Sequence, residues 1–337
     1  MKNCALFLTH EQVSHAHDTF FNGMCKVLGN NSVFDYPCVE KNHSDYRKHG
    51  HTYAWWCLND VGHITSISLS DWASEINSGK IKYVIASNRG IGVENLKLLI
   101  PMISDDALRQ TCIIFLEEEE DPGFSMHQWF VEHLKPVYDK VDIHYKVDYI
   151  KNKVCPYDKI YPFYLSAPGD KILADIGQVK PFSERTIDVC YIAGNSHKNR
   201  EKYFNVLKHL GVGNNIIEFG AHKYSLKEYF NIINDSKIFI SVRGNGWSNT
   251  RNVEGPFCGA ALFTEQLDIT IPNDYIDGVS AIFFNENTLL PRLETILKSP
   301  AKLQKLARAS HDHCAQNHTS ESRAKQMISL AAKVKGW

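Results

Sequence analysis

The chain has 337 residues, 37 Lys+Arg against 38 Asp+Glu, and 43% hydrophobic against 22% charged residues, a balance that excludes a chiefly disordered chain. Its length exceeds what one hydrophobic core usually supports and predicts two domains of roughly 150 residues each. A net charge of -1 gives no overall pull toward nucleic acid or anionic membranes, so nucleic acid is not the favoured partner.

The nine cysteines include no C-x-x-C pair, which fits neither a disulfide framework nor a zinc knuckle. The apolar run from Cys4 to Leu8 stops at Thr9, far short of a secretory segment, and no window approaches the roughly 18 apolar residues of a membrane span. The expected location is the cytoplasm.

In chain order, CALFLT (4–9), HITSISL (63–69), KYVIAS (82–87) and TCIIFL (111–116) read as buried strands. Residues 18–29, 92–100 and 125–134 between them carry the spacing of amphipathic helices. Alternation of this kind predicts a parallel sheet flanked by helices. Residues 155–182, punctuated by Pro156, Pro162, Pro168 and Pro181, mark a domain boundary.

Beyond it the alternation restarts with strands at 187–193, 216–219 and 237–242 and helices at 200–210 and 226–233. Ser225 and Glu228 form a capping box for the second of these helices. Each half is a Rossmann-like candidate, and ligands of open α/β sheets bind outside the carboxyl ends of the strands.

The most informative stretch is residues 241–265, SVRGNGWSNTRNVEGPFCGAALFTE. A strand ends at Val242, a loop holds Gly244 and Gly246, a short helix begins near Val253, and Gly259 leads into another strand. A helix start at a strand's carboxyl end favours phosphate. Glu254 there can accept two hydrogen bonds from ribose hydroxyls, while Arg243 and Arg251 can neutralise a diphosphate. An ordinary helix-start acid, solvated arginines and a tight glycine turn are the plainer readings of the same residues.

The runs EGPFCGAALFTE (254–265), DVCYIAGNSHKNRE (188–201) and NHTSESRA (317–324) resemble the C-terminal half of CgeB-like glycosyltransferases, relatives of glycosyltransferase family four with the GT-B fold. The similarity runs from about Asp188 to the C-terminus, and LEEEEDPGF (116–124) adds a weaker N-terminal match. The resemblance implies an α/β GT-B fold, two Rossmann-like domains facing each other across a cleft. Residues 1–165 would bind the acceptor and residues 166–319 the nucleotide sugar, with a helix from 320 to 337 packing back on the first domain.

By the same resemblance Glu254, five residues before Gly259, holds the donor ribose. Gly194, Lys198 and Arg200 follow the first strand of the second domain, where a basic pair clamps the diphosphate. The donor site is completed by Arg243, Gly244 and Arg251, and Arg251 also assists the leaving group. The family's E-x(7)-E motif has its first Glu replaced by Gly246 here. Transfer from a UDP or GDP sugar to a glycan, lipid-linked or small-molecule hydroxyl, with retention of configuration and no cofactor or metal, is the implied activity.

His15, His17 and Asp18 follow the first strand, where a histidine can act as general base and Asp18 can orient it or cap the helix. Residues 117–121 leave a strand end and either bind acceptor hydroxyls or form a solvated acidic loop. His49 with His51 and His311 with His313 are the tempting metal clusters, but the latter pair, two apart on a helix, faces different directions, and a structural metal is not expected. No GxGxxG follows the first strand, so an oxidoreductase is disfavoured. The rivals that remain are a nucleotide-sugar epimerase, a non-catalytic nucleotide-sugar binding protein, and a transferase acting on modified bases of phage DNA.

Overall fold

The computed structural model describes residues 3–11, 14–39, 42–43, 67–118, 134–151, 159–211, 213–220 and 224–337. Short apolar runs hidden on both faces become parallel strands covered by helices. The first half contains β1 (Cys4–Leu8), α1 (His15–Leu28), β2 (Val33–Tyr36), α2 (Leu69–Asn77), β3 (Ile81–Ser87), α3 (Gly92–Leu99), α4 (Asp105–Gln110), β4 (Cys112–Glu117), α5 (Lys135–Tyr138), β5 (Ile143–Lys146) and β6 (Ile160–Pro162). The strands pair in parallel in the order β2-β1-β3-β4-β5-β6. Leu6, Leu8, Val84, Ala86, Ile113 and Phe115 form the core of one face with Trp72, Leu96 and Leu99.

The second half contains α6 (Gly169–Ile176), β7 (Ile187–Ala193), α7 (Lys198–Leu207), β8 (Asn215–Phe219), α8 (Leu226–Asn234), β9 (Ser236–Ser241), α9 (Arg251–Phe257), β10 (Ala261–Glu265), β11 (Ile282–Phe284), α10 (Leu289–Leu297), α11 (Pro300–Asn317) and α12 (Ser320–Lys335). Its parallel sheet has the order β11-β10-β9-β7-β8. Val189, Tyr191, Ile238, Ile240, Ala261 and Phe263 pack with Leu207, Leu293 and Leu306 on one face. Ser225 caps α8, and Glu228 closes the box by accepting from the Ser225 amide at 2.8 Å.

Both sheets share one topology. The chain steps from the first strand to a neighbour on one side and then crosses to the other side, so strand order reverses between β1 and β3 and again between β7 and β9. Such switch points leave a crevice outside the carboxyl ends of the strands, the usual ligand position in open α/β sheets.

Two compact units divide the chain. One comprises Met1–Tyr164, Thr270–Pro272 and Ser320–Trp337, and the other comprises Leu165–Ile269 and Asn273–Thr319. Within the first, α12 lies on α1, where Ser320 Oγ donates to Asn22 Oδ1 at 2.7 Å. Among the described residues no helix is long and apolar enough to cross a membrane.

The strand expected at 63–69 is not formed where it is described: Leu69 opens α2, capped by Ser68 and Asp71, and residues 63–66 lie outside the described residues. Residues 125–133 of the expected helix also lie outside them. The proline-punctuated stretch 155–182 holds β6 and α6, elements too short for an apolar period to reveal.

Candidate functional site

The loops after β7 and β9 meet at the second switch point, and Arg200 fastens them together. This side chain is buried on the first turn of α7. Its Nε donates to the Arg243 carbonyl at 3.0 Å and its Nη1 to the Gly194 carbonyl at 3.4 Å. Tyr191 anchors the backbone beneath, its hydroxyl donating to the Arg200 carbonyl at 2.7 Å. A Cβ on Gly244 would stand 2.9 Å from Arg200 Nη2, so glycine permits the close approach of the two loops.

Arg243 is half-buried, with its guanidinium over the Trp247 ring at 4.4 Å and its Nη2 3.2 Å from His197 Nε2. The His197 ring is the N-cap of α7, and its Nδ1 accepts from the Asn199 amide at 3.2 Å. Burial lowers the His197 pKa, and Arg243, Lys198 and Arg200 lower it further. With Nδ1 accepting, the proton of a neutral ring sits on Nε2, so the Arg243 guanidinium and His197 Nε2 meet as two donors facing the same space. Glu265, at the end of β10, accepts from Asn199 Nδ2 at 3.1 Å and from the Arg243 amide at 3.2 Å. Burial raises its carboxyl above the ordinary value, against the opposing pull of the Arg243 amide and guanidinium.

Asn249 closes the loop after β9 by donating to the Val242 carbonyl at 2.7 Å, and its Oδ1 receives the Arg251 amide at 3.1 Å. Arg251 opens α9 and reaches back to the Ile192 carbonyl at 3.2 Å. One turn later Glu254 is buried, and its Oε2 accepts from the Tyr229 hydroxyl of α8 at 2.8 Å. Burial pushes this carboxyl above its ordinary pKa, with Arg251 and the Tyr229 and Thr250 hydrogen bonds pulling it down. The result is a rim of cationic and neutral donors, Arg200, Arg243, Arg251, His197 and Lys198, beside one buried carboxylate.

Residues 183–329 match a family model described as glycosyl transferase-like. A glycosyltransferase from Rickettsia africae has a similar structure, with a TM-score of 0.63 and 11% identity over 99% of this chain and 98% of the other. An alpha-glucosyltransferase in complex with UDP-glucose and DNA containing an abasic site gives a TM-score of 0.60 and 11% identity over 98% and 99%. Anabaena HepE in complex with UDP and glucose gives 0.53 and 8% identity over 98% and 100%. No curated protein sequence matches. Residues 183–329 are thus glycosyl transferase-like, and the chain as a whole has the GT-B fold.

In this chain the residues expected at the donor site fall into two groups. Gly194, Lys198, Arg200, Arg243, Gly244, Arg251 and Glu254 are gathered on the loops and helix starts after β7 and β9. Gly259 is not among them: it has φ +81 in the turn before β10, at the amino end of the sheet, and packs beside buried Arg185. Arg185 holds that turn by donating to the Cys258 carbonyl at 2.9 Å and the Ser236 carbonyl at 2.7 Å. The helix expected near Val253 starts two residues earlier, which places Glu254 one turn in, with its amide bonded to the Thr250 carbonyl at 2.9 Å.

The expected catalytic residues sit on the first turn of α1. His15 is exposed, whereas His17 and Asp18 are buried. The acidic run does not behave as one loop: Glu117 is sealed inside β4 against Lys146 and His144, Glu118 is at the strand end, and residues 119–121 lie outside the described residues. His311 and His313 face different backbone carbonyls, those of Phe257 and Asn273, while His49 and His51 lie outside the described residues. Tyr229, His197 and Glu265 were missed by sequence reasoning. The last two stand inside the runs that carried the resemblance, but Tyr229 is signalled only by the α8 capping box upstream of it.

Proposed function

We propose that the C-terminal unit binds a UDP-sugar at its switch point and that the enzyme moves a hexose from it to an acceptor hydroxyl. The observation that supports this is the convergence of Arg200, Arg243 and His197 with the buried Glu254 carboxylate outside the ends of β7 and β9. Glu254 would accept the ribose hydroxyls, and the guanidiniums with Lys198 would neutralise the diphosphate. During transfer the bond between the sugar's anomeric carbon and the phosphate oxygen breaks. A new bond forms to the acceptor oxygen, whose proton is lost, and negative charge grows on the departing UDP. Fixed cationic side chains stabilise that charge without requiring a metal ion.

Retention of configuration is the stereochemistry we favour, because one similar structure is an alpha-glucosyltransferase. Proton NMR of the first-formed product reads it directly. A second reading, with DNA as acceptor, draws on the abasic-site DNA in that same complex. The net charge of -1 weighs against it, and salt-sensitive duplex binding would support it.

Calorimetry with UDP, UDP-glucose and GDP-mannose tests the donor assignment. Wild-type enzyme should bind a UDP compound, and Glu254→Gln should weaken it by about tenfold or more with circular dichroism unchanged. Equal affinity in the variant, or no binding of any of the three, would overturn the assignment.

A further inference from the structure

Where β2 ends, at the edge of the N-terminal sheet, polar side chains gather around Asp35. Asp35 is buried opposite Phe7 in the β1–β2 register. Thr9 ties down the residues that follow it, its amide donating to the Tyr36 carbonyl at 2.8 Å and its Oγ1 to the Pro37 carbonyl at 2.6 Å. Asp35 Oδ2 accepts from the Val39 amide and from Asn42 Nδ2, each at 3.0 Å. The other oxygen, Oδ1, lies 2.8 Å from His43 Nε2. Cys38 is half-buried beside them, and one atom each of Asp35, Cys38 and His43 with the chemistry of a metal ligand lie within 4.8 Å of one another.

Closing the turn after β2 accounts for the bonds from Val39 and Asn42 to Asp35, since a short carboxylate commonly gathers the backbone of its own turn. It does not account for a thiol and an imidazole brought to the same carboxylate. Nor does it account for Asn42 Oδ1, which is buried without a hydrogen-bond partner. Such an atom costs on the order of 1–3 kcal/mol, which a fold tolerates where a ligand completes the bond. Burial, then the charge of Asp35, push the Cys38 thiol up to about 11, opposite to the activation that a nucleophilic or redox cysteine needs. Thiolate, imidazole and carboxylate together are zinc donors, and around one tetrahedral zinc ion such atoms stand roughly 3–4 Å apart. The three side chains are within a small movement of that arrangement.

We propose that Asp35 Oδ1, Cys38 Sγ and His43 Nε2 form a three-ligand zinc site that pins the chain after β2 to the sheet edge, with a water in the fourth position donating to Asn42 Oδ1. Zinc takes the place of the Cys38 thiol proton, which passes to solvent, and the His43 ring proton sits on Nδ1 so that the Nε2 lone pair faces the metal. Asp35 exchanges its hydrogen bond with His43 for the metal and keeps the two on Oδ2, which orient the carboxylate. The sequence conceals such a site because one ligand alone is a cysteine, in a D-x(2)-C-x(4)-H spacing unlike any C-x-x-C pattern. All three ligands belong to the first compact unit and the donor-site residues to the second, so the transfer step proposed above does not pass through this ion.

The test uses the full chain, stripped with EDTA and titrated with zinc against a chromophoric chelator and, separately, with cobalt(II). One zinc per chain should bind and raise the Tm. Cobalt should give a thiolate-to-metal charge-transfer band in the near ultraviolet, with the intense visible bands of tetrahedral coordination. Cys38→Ser should abolish the charge-transfer band, and Cys38→Ser and His43→Gln should each weaken zinc by about a hundredfold, at the upper end of what an outer-shell change costs or beyond it. Asn42→Ala should weaken zinc by about tenfold and keep the band. Should Cys38→Ser fold poorly by circular dichroism, X-ray absorption of the wild-type zinc form decides alone, with one sulfur and three lighter donors expected. No bound zinc, a cobalt band that survives in folded Cys38→Ser, wild-type zinc affinity in Cys38→Ser or His43→Gln, or a zinc shell with several sulfurs would overturn the proposal.

Discussion

The hydroxyl of Tyr229 donates to Glu254 Oε2 at 2.8 Å, so the carboxylate assigned to the donor ribose is held by a residue from a different helix. Desolvation already disfavours the ionised form of Glu254, and this hydrogen bond is one of the forces that oppose it. Tyr229→Phe removes the bond while keeping the ring packed against Phe230 and Phe239. Donor affinity should fall roughly tenfold, about 1.4 kcal/mol, with kcat changed much less than KM. The loss should be greater at acidic pH, because Glu254 in the variant protonates more readily. Equal KM in the variant and wild type across pH 5.5 to 8 would show that Tyr229 does not position the carboxylate.

His197 carries the second prediction. Burial, then Arg243, Lys198 and Arg200, depress its pKa, so the unliganded fold binds its proton less readily than the unfolded chain does. The sign follows from linkage: this histidine costs the unliganded fold stability as pH falls through its ordinary range. A diphosphate bound beside it reverses the local field and raises its pKa. UDP should therefore bind more tightly at pH 6 than at pH 8, with proton uptake measurable by calorimetry in buffers of different ionisation enthalpy. His197→Gln should flatten that dependence. A wild-type affinity that is flat with pH would place the diphosphate elsewhere.

Much of the C-terminal half was legible because its motifs are local. IDVCYIA, LKEYFNII and the Ser225 and Glu228 box each state their element within ten residues, and the loop after β9 follows from its glycines. What the sequence concealed depends on long-range closure. Tyr229 meets Glu254 across 25 positions, and Arg200 reaches the Arg243 carbonyl across 43. Gly259 was misplaced because glycine spacing cannot tell a ligand loop from a turn that must clear a buried arginine. Glu117 looked like part of an acidic surface because its partners, His144 and Lys146, lie on the next strand, 27 and 29 residues on.

That buried network is the third prediction. Glu117, His144 and Lys146 have fully buried side chains, and Lys146 stands directly across from Glu117 in the β4–β5 register. Lys146 Nζ donates to Glu117 Oε1 at 2.5 Å, His144 Nε2 lies 3.0 Å from Oε2, and the Tyr138 hydroxyl is 3.0 Å from His144 Nδ1. Lys146→Met leaves a buried carboxylate with one partner fewer and should cost about 3–5 kcal/mol in urea denaturation. Replacing both members, Glu117→Leu with Lys146→Met, should recover most of that loss, since two apolar groups need no mutual solvation. A double variant as unstable as the single one would mean that the pair contributes net stability.

The last prediction concerns the seat of the C-terminal helix. Gly23 on α1 faces the start of α12, and a Cβ there would overlap the Ser320 carbonyl and lie 3.2 Å from the Ala324 side chain. The obstructing atom is backbone, so it cannot swing aside as a flexible side chain would. Beside it, Ser320 donates to Asn22, and Ala324, Met327 and Ala331 continue the buried stripe down α12. In an exposed helix, glycine to alanine would gain about 1 kcal/mol from propensity. Here the gain is opposed by overpacking, which typically costs about 1–3 kcal/mol, and by loss of the Ser320 hydrogen bond if the helix start lifts. Gly23→Ala should therefore lower the stability of the N-terminal unit and speed amide exchange along α12 while leaving α8 unchanged. Unaltered protection of α12 with a raised Tm would show that the two helices have room to spare.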